Sequence, residues 1–106
     1  MDIRLNVRLN ARNFEELLEN VAGDISTGGV FLRTDNPRPV DTEVKLVMAL
    51  ETENQNIRVK GVVMRSTTHE ESERTGAPAG MAIRFVEFGQ GDDAVLARLL
   101  ELHGKR

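Results

Sequence analysis

Asp24-Ile25-Ser26-Thr27-Gly28-Gly29-Val30-Phe31-Leu32 is the stretch from which the rest of this chain is read. A small acid, a hydroxyl and two glycines interrupt one apolar run and release the next. These are turn residues for separate reasons: Asp and Ser hydrogen-bond nearby backbone, and glycine reaches conformations closed to other residues. The pattern predicts a short strand over Val21 to Ile25 and another over Gly29 to Thr34. Such a turn exposes backbone N–H groups beside the side chains of Asp24 and Ser26, and glycine lets a ligand approach the main chain. The same residues also read as an ordinary hairpin turn. In either case Gly28 or Gly29 is expected to hold a positive φ or to sit where another backbone comes close. Ser26 is expected to accept from a nearby backbone N–H without any ligand.

Outward from the turn, period two dominates. Ile3, Leu5, Val7, Leu9 and Ala11 alternate with Arg4, Asn6, Arg8, Asn10 and Arg12, which reads as a half-buried strand. Asn13 to Glu19 switches to helical spacing for one or two turns, with Asn13 as N-cap and Glu16 three residues on. Downstream, Asp35 to Thr42 is a loop by composition. Val44, Leu46 and Met48 alternate, as do Ile57, Val59, Gly61 and Val63, with Gly61 marking a bulge or close packing. Glu51 to Gln55 connects them. Thr67 to Ala79 is polar, contains glycine and proline, and reads as a mobile connection. Met81, Ile83 and Phe85 form the last strand. From Asp92, the residues Val95, Leu96, Leu99, Leu100 and His103 recur at helical spacing; Asp92 and Asp93 suit the first turn and Gly104 the end.

The expectation is therefore an all-β fold with one principal helix: a six-stranded antiparallel β-barrel with a C-terminal α-helix from about Asp92 to Leu102. Closure hides the edges that six short strands would otherwise expose. Phe31, Leu46, Val59, Ile83 and Phe85 are expected in the core, with Leu96 and Leu99 packing the helix onto the barrel.

At 106 residues, 1–106 reads as a single domain. There is no cysteine, which leaves no disulfide framework and no thiolate chemistry. His69 and His103 lie too far apart in sequence to suggest zinc. A net charge of −3 and the lack of Trp and Tyr argue against DNA or RNA as partners. No apolar run approaches the ~20 residues of a membrane span. Met1-Asp2-Ile3-Arg4 has no signal-peptide character. A cytoplasmic location is expected, although a domain cut from a larger chain would look the same.

In order and spacing these residues resemble the PilZ domain family. Asp24, Ser26 and Gly29 are similar to its signature of Asp or Asn, any residue, Ser, two residues, Gly. Pro39-Val40-Asp41-Thr42 resembles its Pro-x-Gly-Thr strand entry, with Asp41 in the glycine's place. Val59-Lys60-Gly61-Val62-Val63 resembles its Gly-x-Val strand, and Gly80-Met81-Ala82-Ile83-Arg84-Phe85 its Gly-Met-x-x-x-Phe strand. The Phe14-to-Leu18 segment followed by Gly28-Gly29-Val30-Phe31 looks like the short PilZ proteins of deltaproteobacteria and gliding myxobacteria.

That resemblance implies a receptor for cyclic di-GMP that regulates motility or surface behaviour through a protein partner. It implies that Asp24, Ser26, Gly28 and Gly29 hold one side of the ligand. It implies an Arg-x-x-x-Arg motif on an upstream arm for the other side, which Arg4 with Arg8, and Arg8 with Arg12, satisfy. Arginine's planar fork suits both phosphate and the acceptor edge of guanine.

Read from the strand pattern alone, Arg4 and Arg8 share one polar face with Cα atoms ~13 Å apart, an ordinary place for solvated charge. A second function therefore stays open: a PilZ domain that acts as a protein-interaction adaptor without nucleotide. In that case the Asp-Ser-Gly turn is structural, and an exposed strand or the Val95–Leu100 helix carries the contact. No enzyme is expected. Ser26 lacks a nucleophile elbow, the glutamates at 15, 16, 19, 70, 71 and 73 have no partner base, and Gly89-Gln90-Gly91 follows no dinucleotide-binding unit. No cofactor is expected beyond the ligand itself.

Overall fold

Period-two alternation places Val44, Leu46, Met48 and Leu50 on one side of a strand and Ile57, Val59 and Val63 on one side of the next. All seven are buried. The computed structural model describes residues 4–20 and 22–104, and there these two strands form the central hairpin of a six-stranded sheet. The elements are β1 (Arg4–Ala11), α1 (Phe14–Asn20), β2 (Ala22–Ile25), β3 (Gly29–Arg33), β4 (Glu43–Leu50), β5 (Gln55–Thr67), α2 (His69–Thr75), β6 (Gly80–Phe88) and α3 (Asp92–Leu99). A wider, π-helical turn, Leu100–Gly104, extends α3. Ile3 and Val21, read as the starts of the first two strands, lie outside the described residues.

The sheet order is β1-β4-β5-β6-β3-β2, curled into a half-barrel. Pairings from β4 through to β2 are antiparallel as expected. β1 differs: it runs parallel to β4, in register from Arg4 opposite Glu43 to Ala11 opposite Leu50. The chain leaves β1, passes through α1, β2 and β3, and returns as β4, which is the long crossover that a parallel pair requires. Among the described residues no ladder joins β1 to β2. The gap is filled by α1, whose Phe14 and Leu17 are fully buried.

The start of α1 is held as its residues predict. Asn13 Oδ1 accepts from the Glu16 N–H at 2.9 Å, while Glu16 Oε1 accepts from the Arg12 N–H at 2.8 Å. The reciprocal contact thus falls one residue earlier than in a standard capping box. The Phe14 ring lies 6.2 Å from the ring of His103, which ties α1 to the C-terminal turn. Leu96 and Leu99 seat α3 on the sheet.

Leu46, Val59, Ile83 and Phe85 are core residues as expected. Phe31 is not. Val30 and Leu32 are buried, and strict alternation turns Phe31 outward, where it is only half-buried. Three consecutive apolar residues cannot all face one side of a strand. The segment read as a mobile connection contains α2. Thr68 Oγ1 accepts from the Glu71 N–H at 3.1 Å, and Glu71 Oε1 accepts from the Thr68 N–H at 3.0 Å, a complete capping box. Gly76 ends the helix at φ 83°. Thr68 and Glu71 carried this signal, but no α2 residue is buried, so hydrophobic periodicity could not. Gly61 sits at the expected bulge, where the β5–β6 register shifts.

Candidate functional site

The turn between β2 and β3 is built by its own backbone. The Ser26 N–H donates to the Gly29 carbonyl at 2.9 Å, and the Gly28 N–H donates to Ser26 Oγ at 3.1 Å. The Gly28 carbonyl accepts from the Phe85 N–H at 2.9 Å, pinning the turn to β6. Gly29 answers the second of the two expectations for this turn. A Cβ there would lie 2.5 Å from the Ile83 carbonyl oxygen, so a side chain cannot fit where β3 pairs with β6. Ser26 accepts its backbone N–H without ligand, as expected.

From this turn β3 runs along the outer wall of the half-barrel. Gly29, Phe31 and Arg33 share its outer face. Register then decides their neighbours. Phe31 lies level with Ala82 on β6, which lies level with Arg65 on β5; Arg33 lies level with Gly80, which lies level with Thr67. The central strand thus offers Ala82 and Gly80, and the flanking strands offer Phe31, Arg33, Arg65 and Thr67. The result is a trough with a low floor. A Cβ on Gly80 would collide with the Phe31 ring, which leans over it. Ala77 and Pro78, between α2 and β6, raise one wall, and Asp24 and Ser26 stand at the turn end. The cleft has a volume of about 680 Å³.

Its lining holds one carboxylate, Asp24, and two guanidiniums, Arg33 and Arg65. Among the described residues neither guanidinium takes part in an ion pair or a side-chain hydrogen bond.

Asp24, Ser26 and Gly29 therefore meet in one cleft, with Gly28 in the turn that shapes it. Arg4, Arg8 and Arg12 line other surfaces. Arg4 Nη2 sits 3.4 Å from Glu43 Oε1 on the exposed side of β1 and β4. Arg8 Nε donates to Asn10 Oδ1 at 3.0 Å. Arg8 and Arg12 border a second cleft of about 650 Å³ with Asn10, Glu16, Asn54 and Asn56, beside the β4–β5 hairpin.

The sequence reading passed over Arg33 and Arg65. Arg33 was within reach, because it lies two and four residues past Phe31 and Gly29 and so shares their face. Arg65 was not, because only the β3–β6–β5 register brings it there.

The remaining candidates have structural partners. His69 Nδ1 lies 3.5 Å from Asp35 Oδ1, and its Nε2 lies 3.6 Å from Glu73 Oε2, linking α2 to the loop after β3. The backbone N–H of Thr68 and then its hydroxyl hold the Glu71 carboxyl below the usual carboxylate range. No helix among the described residues is long and apolar enough to cross a membrane.

Compared with known proteins, residues 1–102 match the model of one family, the PilZ domain. Among curated proteins none matches the chain.

Proposed function

The chain belongs to the PilZ domain family, and from that premise we propose that it is a receptor for cyclic di-GMP. PilZ domains are cyclic di-GMP-binding signalling modules that act as receptors and adaptors. The observation that carries the reading for this chain is the cleft itself: Asp24, Ser26 and Gly29 open onto a trough with an aromatic face and two guanidiniums. Its volume is in the range of small-molecule sites. A guanine presents N–H groups that a carboxylate such as Asp24 accepts, and a phosphate presents oxygens that guanidiniums donate to. Gly29 leaves the main chain bare beside them. Arg33 and Arg65 lie within the cleft, while Arg4, Arg8 and Arg12, which the family resemblance assigns to the ligand, lie along and just after β1 outside it. Binding alters a surface read by a protein partner in bacterial motility or surface behaviour, in the cytoplasm.

The test is calorimetric titration of the folded domain with cyclic di-GMP. Saturable heat is expected, and Asp24→Ala should weaken binding by one to two orders of magnitude, the loss of a charge-assisted contact worth ~1.5–3 kcal/mol. A folded sample that gives no heat with ligand well above micromolar would remove the receptor reading. The adaptor reading then stands in its place. It is favoured by one observation, that Arg4, Arg8 and Arg12 line surfaces other than the Asp24 cleft.

A further inference from the structure

Arg33 and Arg65 come from strands that are not neighbours in the sheet, and they stand diagonally across a single strand, Arg33 level with Gly80 and Arg65 level with Ala82. β6 runs between them, and its outward residues at that level are Ala82 and Gly80. β6 contributes nothing taller than a methyl group between them, and the Phe31 ring leans over Gly80. Both side chains are exposed. Like charges on facing walls of a trough repel each other, and an anion lying between them turns that repulsion into attraction. The arginines of β1 are placed differently. Arg4 faces Glu43, and Arg8 donates to Asn10. The cleft carries one more positive than negative side chain, which suits an anionic ligand.

We propose that Arg33 and Arg65 are the phosphate-pairing residues of this cleft, so that the barrel wall and not the β1 arginines holds the ligand's anionic backbone. The inference rests on the cyclic di-GMP reading and deepens it. Two cations across one trough match a ligand with two phosphates in a ring, and they discriminate against a mononucleotide, which can satisfy only one of them. Phe31, level with Ala82 at the trough's side, then offers its ring to a base.

The test is titration of cyclic di-GMP into wild type, Arg33→Ala, Arg65→Ala, the double variant, Arg65→Lys, Arg8→Ala and Lys60→Ala. Thermal melts accompany each, and because the substituted side chains are exposed the melts should coincide with wild type. Arg33→Ala and Arg65→Ala should each weaken binding by about 10- to 100-fold, with a larger loss in the double variant. The salt dependence of affinity should flatten with each charge removed. Arg65→Lys should recover part of the loss, since lysine keeps the charge but not the fork. Lys60→Ala, which removes a charge outside the cleft, should leave affinity unchanged. Arg8→Ala should cost less than either cleft variant. Full binding by the double variant, or a loss confined to Arg8→Ala, overturns the assignment and leaves the receptor reading intact. A wild type that does not titrate overturns both, so the two failures are told apart by the first experiment.

Discussion

The carboxylate of Asp92 accepts the main-chain N–H of Arg58 at 2.9 Å, and through this bond the first residue of α3 is fastened to β5. Asp92 is one of two buried polar residues among those described. Its own N–H donates to the Gly89 carbonyl at 2.9 Å, and the Gly89 N–H donates to the Arg58 carbonyl at 2.8 Å, so one carboxylate organises the whole approach to the helix. Asp92→Ala should therefore lower stability by ~1–3 kcal/mol, because a part-buried backbone donor loses its acceptor. Asp92→Asn, which keeps an acceptor oxygen, should cost less. Urea unfolding with a common slope checks the order, and equal losses for the two variants would contradict it.

Asp41 occupies the left-handed region at φ 77°, where glycine is the easy residue. The position is fixed on both sides: the Asp41 N–H donates to the Val63 carbonyl at 2.8 Å, and the Thr42 carbonyl accepts from the Val63 N–H at 3.0 Å. Asp41→Gly should raise stability by up to about 1 kcal/mol, and Asp41→Ala should lower it by about as much. Thermal melts that rank alanine with glycine would show that the backbone here is not strained.

The two glycines of the β2–β3 turn should respond differently to substitution. A Cβ on Gly29 meets the Ile83 carbonyl, whereas the nearest atom to a Cβ on Gly28 is Ser26 Oγ at 3.8 Å. Gly29→Ala should cost ~1–3 kcal/mol through backbone displacement. Gly28→Ala should fold with near wild-type stability. Denaturant midpoints for the pair decide the matter, and a silent Gly29→Ala would mean that β3 and β6 can separate freely.

The capping box of α2 sets a pH dependence of known sign. Glu71 is held below the usual carboxylate value by the Thr68 N–H first and the Thr68 hydroxyl second. For a depressed carboxyl, the stabilisation is fully present above its unfolded value and is lost as pH falls through its lower folded value. Amide protection at Thr68 and Glu71 should therefore drop on acidification in that window. Thr68→Ala removes the hydroxyl but keeps the N–H donor and should shrink the step, whereas Glu71→Gln, which cannot titrate, should abolish it. A step that persists in Glu71→Gln would assign the titration to another group.

Much of this architecture was legible because alternation is a local signal. Val44 to Met48 and Ile57 to Val63 announce their buried sides residue by residue. What alternation cannot carry is partnership. β1 has the same pattern whether its neighbour runs parallel or antiparallel, so its pairing with β4 had to be seen. Phe31 misled because three adjacent apolar residues hide which parity is inside. α2 escaped because it buries nothing, although Thr68 and Glu71 stood at the right spacing to cap it. The Asp24, Ser26 and Gly29 half of the candidate site was readable within six residues of chain. The arginine half depends on β6 running between Arg33, level with Gly80, and Arg65, level with Ala82, and no window along the sequence contains that relationship.

The parallel docking of β1 has a consequence for how the domain assembles. Arg4 and Glu43 are 39 residues apart in the chain, whereas β4 and β5 meet through a tight hairpin in which the Asn54 N–H donates to the Glu51 carbonyl. The β3–β6 ladder spans more chain still, since Gly29 lies opposite Arg84. Loop closure costs more entropy as the loop lengthens, and distant pairings slow folding. The β4–β5 hairpin is therefore expected to form before either, with β1 and β3 docking onto it. The Asp24 cleft, which needs β3 against β6, is then completed only when the longest of these loops closes.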